Sequence, residues 1–108
     1  MTWTVQFLDE ARKDFKRLDG SQRIVVMKAI EKTSKNPLPI YEGGYVKPLG
    51  VKYGIDLKGL YKIKLKKSGI RIIYQLVKRN KEMFIIIVGL RADEYVYKKA
   101  RSRIDQGE

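Results

Sequence analysis

The chain has 108 residues, 44% of them hydrophobic, and a formal net charge of +12 with neither Cys nor His. That length suits one domain, spanning 1–108, around a single core. Without Cys there is no disulfide, thiolate metal site or cysteine nucleophile. Without His the usual base near neutral pH and the commonest metal ligand are gone. No metal and no cofactor are expected, and any proton transfer falls to Lys, Arg, Tyr or a carboxylate.

No apolar run approaches the roughly 18 residues of a membrane span. Acids interrupt the opening "MTWTVQFLDEARKDF", which therefore does not read as a signal peptide. A soluble, cytoplasmic protein with no membrane partner is expected. The charge is unevenly placed. Residues 1–50 carry +3 and residues 51–108 carry +9. From Leu57 to Lys81 there are nine basic residues and no acid. A one-sided field of this kind points to a polyanionic partner, with nucleic acid first among them. A solvated basic surface or a membrane-facing patch is the plainer alternative.

The elements follow in chain order. "TWTVQFL" alternates Trp3, Val5 and Phe7 with polar neighbours, as a strand does. Asp9 is placed to cap a helix whose inner stripe is Ala11, Phe15 and Leu18. "DGS" at 19–21 breaks it. A second helix is expected from about Gln22 to Lys35, with Val26, Ala29, Ile30 and Thr33 inward. "NPLP" ends that helix. Residues 40–59, with five Gly, read as a long loop holding at most a short turn. Three strands come next: Leu60–Leu65, Ile70–Val77 and Met83–Leu90, joined by the turns "KKSG" and "KRNKE". Asp93 is placed to cap a last helix with Val96, Ala100 and Ile104 spaced four apart. The order is β-α-α-β-β-β-α. Short turns make the three strands antiparallel neighbours. The class is α+β: an antiparallel meander with an N-terminal helical hairpin and a C-terminal helix.

Side chains alternate along a strand, so Lys62 and Lys64 share one face. Crowded cations disfavour each other's charged form, and a lysine lowered toward neutrality can act as a base. Two solvated lysines guarding an edge strand are the alternative. Arg71 sits one residue into a strand that comes after a Gly, and Arg91 ends another strand, where a phosphate could be forked. Tyr97, next to the core position Val96, could stack on a base or simply pack.

"YKIKL", "SGIRIIYQL", "VGLR" and Tyr97 in collinear order resemble the RelE toxins of the wider RelE/ParE superfamily. The likeness extends from about residue 3 to 104 and takes in "FKRL" and "KPLG". It departs from the family pattern in the length of 40–59, in Leu90, and in the tail "RSRIDQGE". The resemblance implies a RelE-like fold and a toxin of a type II toxin–antitoxin system. The implied activity is ribosome-dependent, metal-independent cleavage of A-site mRNA, which inhibits translation. It places Lys62, Lys64, Arg71, Arg91 and Tyr97 at the catalytic positions. Lys47, Lys58, Lys66, Lys67, Lys98 and Arg101 are expected to contact RNA or the ribosome. Implied partners are the ribosome, mRNA and a cognate antitoxin with an acidic, partly disordered segment. Two other readings stay open: a ParE-type gyrase poison, and a basic RNA-binding module without catalysis.

Overall fold

The computed structural model describes residues 2–106. They form β1 (Thr4–Phe7), α1 (Asp9–Arg17), α2 (Gly20–Ser34), a 3-10 turn (Ile40–Glu42), β2 (Pro48–Lys52), β3 (Ile55–Leu65), β4 (Ile70–Val77), β5 (Glu82–Gly89) and α3 (Asp93–Gln106). The five strands make one sheet in the order β1-β5-β4-β3-β2. Strands β2 to β5 are the antiparallel meander. β1 joins its far edge parallel to β5, Thr4 beside Glu82 and Phe7 beside Ile85.

The sheet separates two cores. On one face the α1–α2 hairpin lays Ala11, Leu18, Val26 and Ile30 on Tyr61, Ile72, Tyr74, Met83 and Ile85. On the other, α3 lays Val96, Tyr97 and Ala100 on Leu57, Leu60, Ile73, Ile86 and Ile87. The helical stripes expected at 11–18 and 26–33 thus face inward, though Ala29 and Thr33 are only half-buried.

Three expectations are corrected. Residues 40–59 are not a long loop. Val51–Lys52 pair with Asp56–Ile55 in a hairpin, and β3 begins at Ile55 rather than Leu60. Tyr53 and Gly54 both have positive φ, +53° and +72°. That is the two-residue turn whose twist matches the flanking strands. Five glycines hide the alternation; of these, Gly50 and Gly59 also sit at positive φ, where the β2–β3 register shifts. Second, Asp9 does not cap α1: Leu8 holds the cap position, and Asp9 instead lies 3.5 Å from Arg12. Third, α2 starts at Gly20, not Gln22. Asp19 caps it, accepting from Gln22 N at 2.8 Å, while Gln22 Oε1 accepts from Asp19 N at 3.1 Å. This reciprocal cap extends the helix into the segment that the glycine was expected to break.

A bulge in β5 sets where α3 lies. Ile73 faces Ile87 but Tyr74 faces Ile85, so Ile86 is the extra residue, and Ile86 and Ile87 both turn toward α3. β1 has ended by this point, which leaves the outer edge of β5 open. Asp14 of α1 accepts from Val88 N at 3.1 Å, and Arg103 of α3 donates to Ile86 O at 3.0 Å. The two side chains then fork together, Nη1–Oδ2 2.6 Å and Nη2–Oδ1 3.0 Å, with both almost fully buried. One ion pair thus satisfies the backbone that β1 leaves bare and ties α3 to α1 across the sheet edge.

Candidate active site

Lys62 and Lys64 point to the face of β3 that α3 covers. Lys64 pairs directly with Arg71 of β4, and Lys62 with Ile73. The cations expected from the alternation therefore do share a face. α3 reaches them because Gly89 ends β5: a Cβ there would sit 2.9 Å from a Val96 methyl group, and Val96 is completely buried. That close approach brings the first turn of α3 down onto β3 and β4.

The turn delivers two groups. Tyr97, only 2% exposed, puts its hydroxyl 2.7 Å from Lys62 Nζ. Asp93 puts Oδ2 3.3 Å from the same Nζ, and its Oδ1 accepts a short hydrogen bond from Arg71 Nε. Arg71 Nη1 also donates to the carbonyls of Gly69 and Arg91, each at 2.9 Å. So Lys62, Arg71 and Tyr97 form one hydrogen-bonded cluster around one carboxylate. Asp93 was expected only to cap α3. It is the acid that the basic run from 57 to 81 lacks, brought in from the chain's last helix.

The charges follow from this arrangement. Burial alone would pull the Lys62 ammonium down, but the Tyr97 hydroxyl and Asp93 outweigh it and raise its pKa above the ordinary lysine value. The expectation of a Lys62 lowered toward neutrality is therefore corrected. The neighbours that govern it are the Tyr97 hydroxyl first and then the Asp93 carboxylate 3.3 Å away, rather than another cation. For Asp93 burial again opposes, but the hydrogen bonds and charges of Arg71 and Lys62 hold it below the usual carboxylate value.

Beside the cluster opens a cleft of about 610 Å³, lined by Lys47, Leu49, Lys52, Tyr53, Lys62, Asp93 and Tyr97 among others. Tyr53 stands at its mouth, 62% exposed, its ring centroid 6.1 Å from that of Tyr97. Tyr97 is sealed beneath, so Tyr53 is the ring that offers a face to an incoming base. Its sequence signal was the "KYGI" turn, which the glycine-rich reading passed over.

The other expected residues scatter. Arg91 brings its backbone carbonyl to the cluster, while its guanidinium stacks on Tyr95, 4.5 Å from the ring centroid. Lys64 is exposed, and Lys66 and Lys67 lie in the exposed β3–β4 turn. Lys58 is exposed on β3. Lys98 pairs with Glu94 at 3.1 Å, and Arg101 pairs with Asp105 and donates to Asp56 O at 3.3 Å. Of the residues expected to contact RNA, Lys47 alone lines the cleft. Among the described residues no three of Asp, Glu, His or Cys gather as a metal centre would require.

No protein-family model matches the chain. It is 28% identical over 104 residues to the mRNA interferase toxin RelE of Escherichia coli K12 and to the mRNA interferase RelE of Shigella flexneri. The alignment covers 96% of this chain and 99% of each relative. Among solved structures it resembles a free double-arginine mutant of the E. coli toxin RelE, with a TM-score of 0.73 and 27% identity over 96% of this chain and 99% of that one. It also resembles that mutant in complex with a peptide of the antitoxin RelB, with a TM-score of 0.66 and 26% identity over 93% and 95%. Nearly the whole length of both partners aligns in sequence and in fold, so the chain is similar throughout to the RelE toxins.

Proposed function

We propose that the chain is the toxin of a toxin–antitoxin pair and an mRNA endoribonuclease that cuts mRNA on the ribosome, held in check by a cognate antitoxin with an acidic segment. The observation that carries this reading is Lys62, Lys64 and Arg71 on one sheet face, with Tyr97 of α3 bonded to Lys62, beside a basic cleft.

RNA supplies its own nucleophile, the 2′-hydroxyl. In-line attack on the neighbouring phosphate forms the 2′-O–P bond and breaks the bond to the 5′-oxygen, giving a 2′,3′-cyclic phosphate and a 5′-hydroxyl. The chain must take the 2′-proton, steady the added negative charge and return a proton to the leaving oxygen. Lys62, kept cationic, and Arg71, with its guanidinium held by two backbone carbonyls, steady the charge; fixed donors of this kind are worth roughly 3–4 kcal/mol each. Lys64, solvent-facing and opposite Arg71, is left as the proton acceptor. Tyr97 orients Lys62 through its hydroxyl. Tyr53 stacks on a base and turns the strand toward in-line geometry. Arg91 reaches the phosphate only by leaving Tyr95, a change that ribosome binding would drive. With its groups tied to one another, the free chain is a weak nuclease, and the ribosome supplies the missing alignment of the message.

The deciding experiment maps cleavage of a defined mRNA by primer extension, on ribosomes with an empty A site and without ribosomes. Cutting on the ribosome that is lost in Arg71→Ala supports the reading. No cutting in either sample refutes it.

A further inference from the structure

We infer that the Asp93 carboxylate occupies the seat of the substrate phosphate in the unliganded chain, and that RNA binds by displacing it. This rests on the nuclease reading above only for the identity of the ligand as a phosphodiester.

The geometry is that of a bound oxyanion. One carboxylate oxygen takes Lys62 Nζ at 3.3 Å and the other takes Arg71 Nε, the two cations that would grip adjacent phosphate oxygens. Two non-bridging oxygens of a phosphodiester present the same pair of acceptors, so the fork that holds Asp93 fits phosphate without rebuilding. The seat opens on the cleft that Lys47, Lys52 and Tyr53 line, so a strand crossing that cleft runs past it. While Asp93 is in place, a phosphate meets a cluster of two cations and one anion, and the carboxylate repels it.

Displacement has an open path in this position. The Asp93 side chain is 25% exposed, and Leu90, Arg91 and Ala92 just before it are exposed, so it can swing outward without moving the helix. Swung out, it still lies in the first turn of α3, where the helix dipole favours negative charge. The far end of α3 stays fixed by Arg103. Asp93 keeps Lys62 and Arg71 in register when no RNA is bound, and it weakens the chain's hold on phosphates that arrive without other contacts. A strand aligned by the ribosome, with further contacts to offer, can evict it; stray RNA is held less well.

The test compares the full-length chain with Asp93→Asn, which keeps the size of the side chain and removes its charge. Binding of a short mixed-sequence 2′-O-methyl RNA, which lacks the attacking hydroxyl, is followed by fluorescence anisotropy across a salt series. Removing one unit charge about 4 Å from a phosphate should tighten binding about fivefold in a water-like medium. The slope against salt should steepen by about 0.7, one more phosphate neutralised. Unchanged or weaker binding overturns the inference and makes Asp93 a positioning residue for the two cations. If Asp93→Asn does not fold, the unmodified chain decides. The Asp93 carboxyl carbon, titrated by NMR, should move up to the ordinary carboxylate range when the RNA is added; a titration that stays put overturns the inference. The two readings fail separately. Tighter binding by Asp93→Asn with no ribosomal cleavage ends the nuclease reading and leaves the seat standing. Cleavage by the unmodified chain with no gain in Asp93→Asn ends the seat alone.

Discussion

Replacing Asp14 with alanine should be among the most damaging single changes outside the hydrophobic cores. Asp14 and Arg103 are 8% and 7% exposed, and Asp14 accepts two hydrogen bonds from Arg103 and one from Val88 N. Its removal leaves a buried guanidinium whose remaining counter-charge is the half-exposed Glu10, 3.9 Å from Nε, and a buried amide with no acceptor. Breaking one side of such a pair costs about 3–5 kcal/mol. In a domain of this size, about 4–8 °C of melting temperature goes with each kcal/mol, so the midpoint should fall on the order of 12 °C or more. The comparison is Glu94→Ala, which breaks a pair with Lys98 whose side chains are 51% and 64% exposed and should cost within about 0.5 kcal/mol. Urea melts of both variants measure the difference. Removing Asp14 and Arg103 together with apolar replacements should recover part of the loss, but not all. Val88 N and Ile86 O would remain unpaired, at roughly 1–3 kcal/mol each. If Asp14→Ala costs no more than Glu94→Ala, the account of the open β5 edge is wrong.

Arg71→Lys should abolish most ribosomal cleavage, because lysine lacks the planar guanidinium that holds the Gly69 and Arg91 carbonyls on Nη1 while Nε meets an oxyanion; near-normal cutting would favour a site that merely holds phosphates. Gly44→Ala should fail to accumulate as folded protein, since its Cβ would lie 1.8 Å from the Leu38 carbonyl oxygen; a melt like that of the unmodified chain would contradict the backbone path there. Stability should depend on pH at both ends of the scale. Asp93, held below its ordinary value, contributes stability present above about pH 4 that is lost as pH falls through its folded value. Lys62, raised, contributes stability present below about pH 10 that is lost as pH rises through its folded value. Asp93→Asn should therefore flatten the acid limb of urea-melt stability below about pH 4; an unaltered limb would mean that the cluster does not hold Asp93 ionised.

The helices and the three meander strands are legible in the sequence because their apolar residues recur at the helical or strand period. The β2–β3 hairpin is not. Its turn is Tyr53-Gly54, where Asn or Asp would have signalled positive φ, and glycines stand where alternation should show. The uninterrupted apolar run of β5 conceals its bulge, because nothing in "FIIIV" marks Ile86 as the extra residue. At the site, strand alternation is enough to put Lys62, Lys64 and Arg71 on one face. What it cannot supply is the counter-charge, because Asp93 lies 31 residues from Lys62 and 22 from Arg71. For the same reason Lys62 moves opposite to the direction that its neighbours in sequence imply. Arg91 shows the converse: its position in the chain is right for the site, but its side chain leaves on the other side, toward Tyr95.

The pairing of β1 with β5 bears on how the chain is made. Thr4–Phe7 meet their hydrogen-bonding partners only at Glu82–Ile85, and the α1–α2 hairpin has no sheet to rest on until the meander exists. Asp93 and Tyr97 arrive later still. During translation the first half of the chain emerges with its apolar stripes uncovered, and loop-closure entropy delays the docking of β1 further. Lys62 and Arg71 emerge as loose cations, with neither the hydroxyl nor the carboxylate that orders them. The cluster of Lys62, Arg71, Asp93 and Tyr97 therefore closes only once α3, the last element described, has been made.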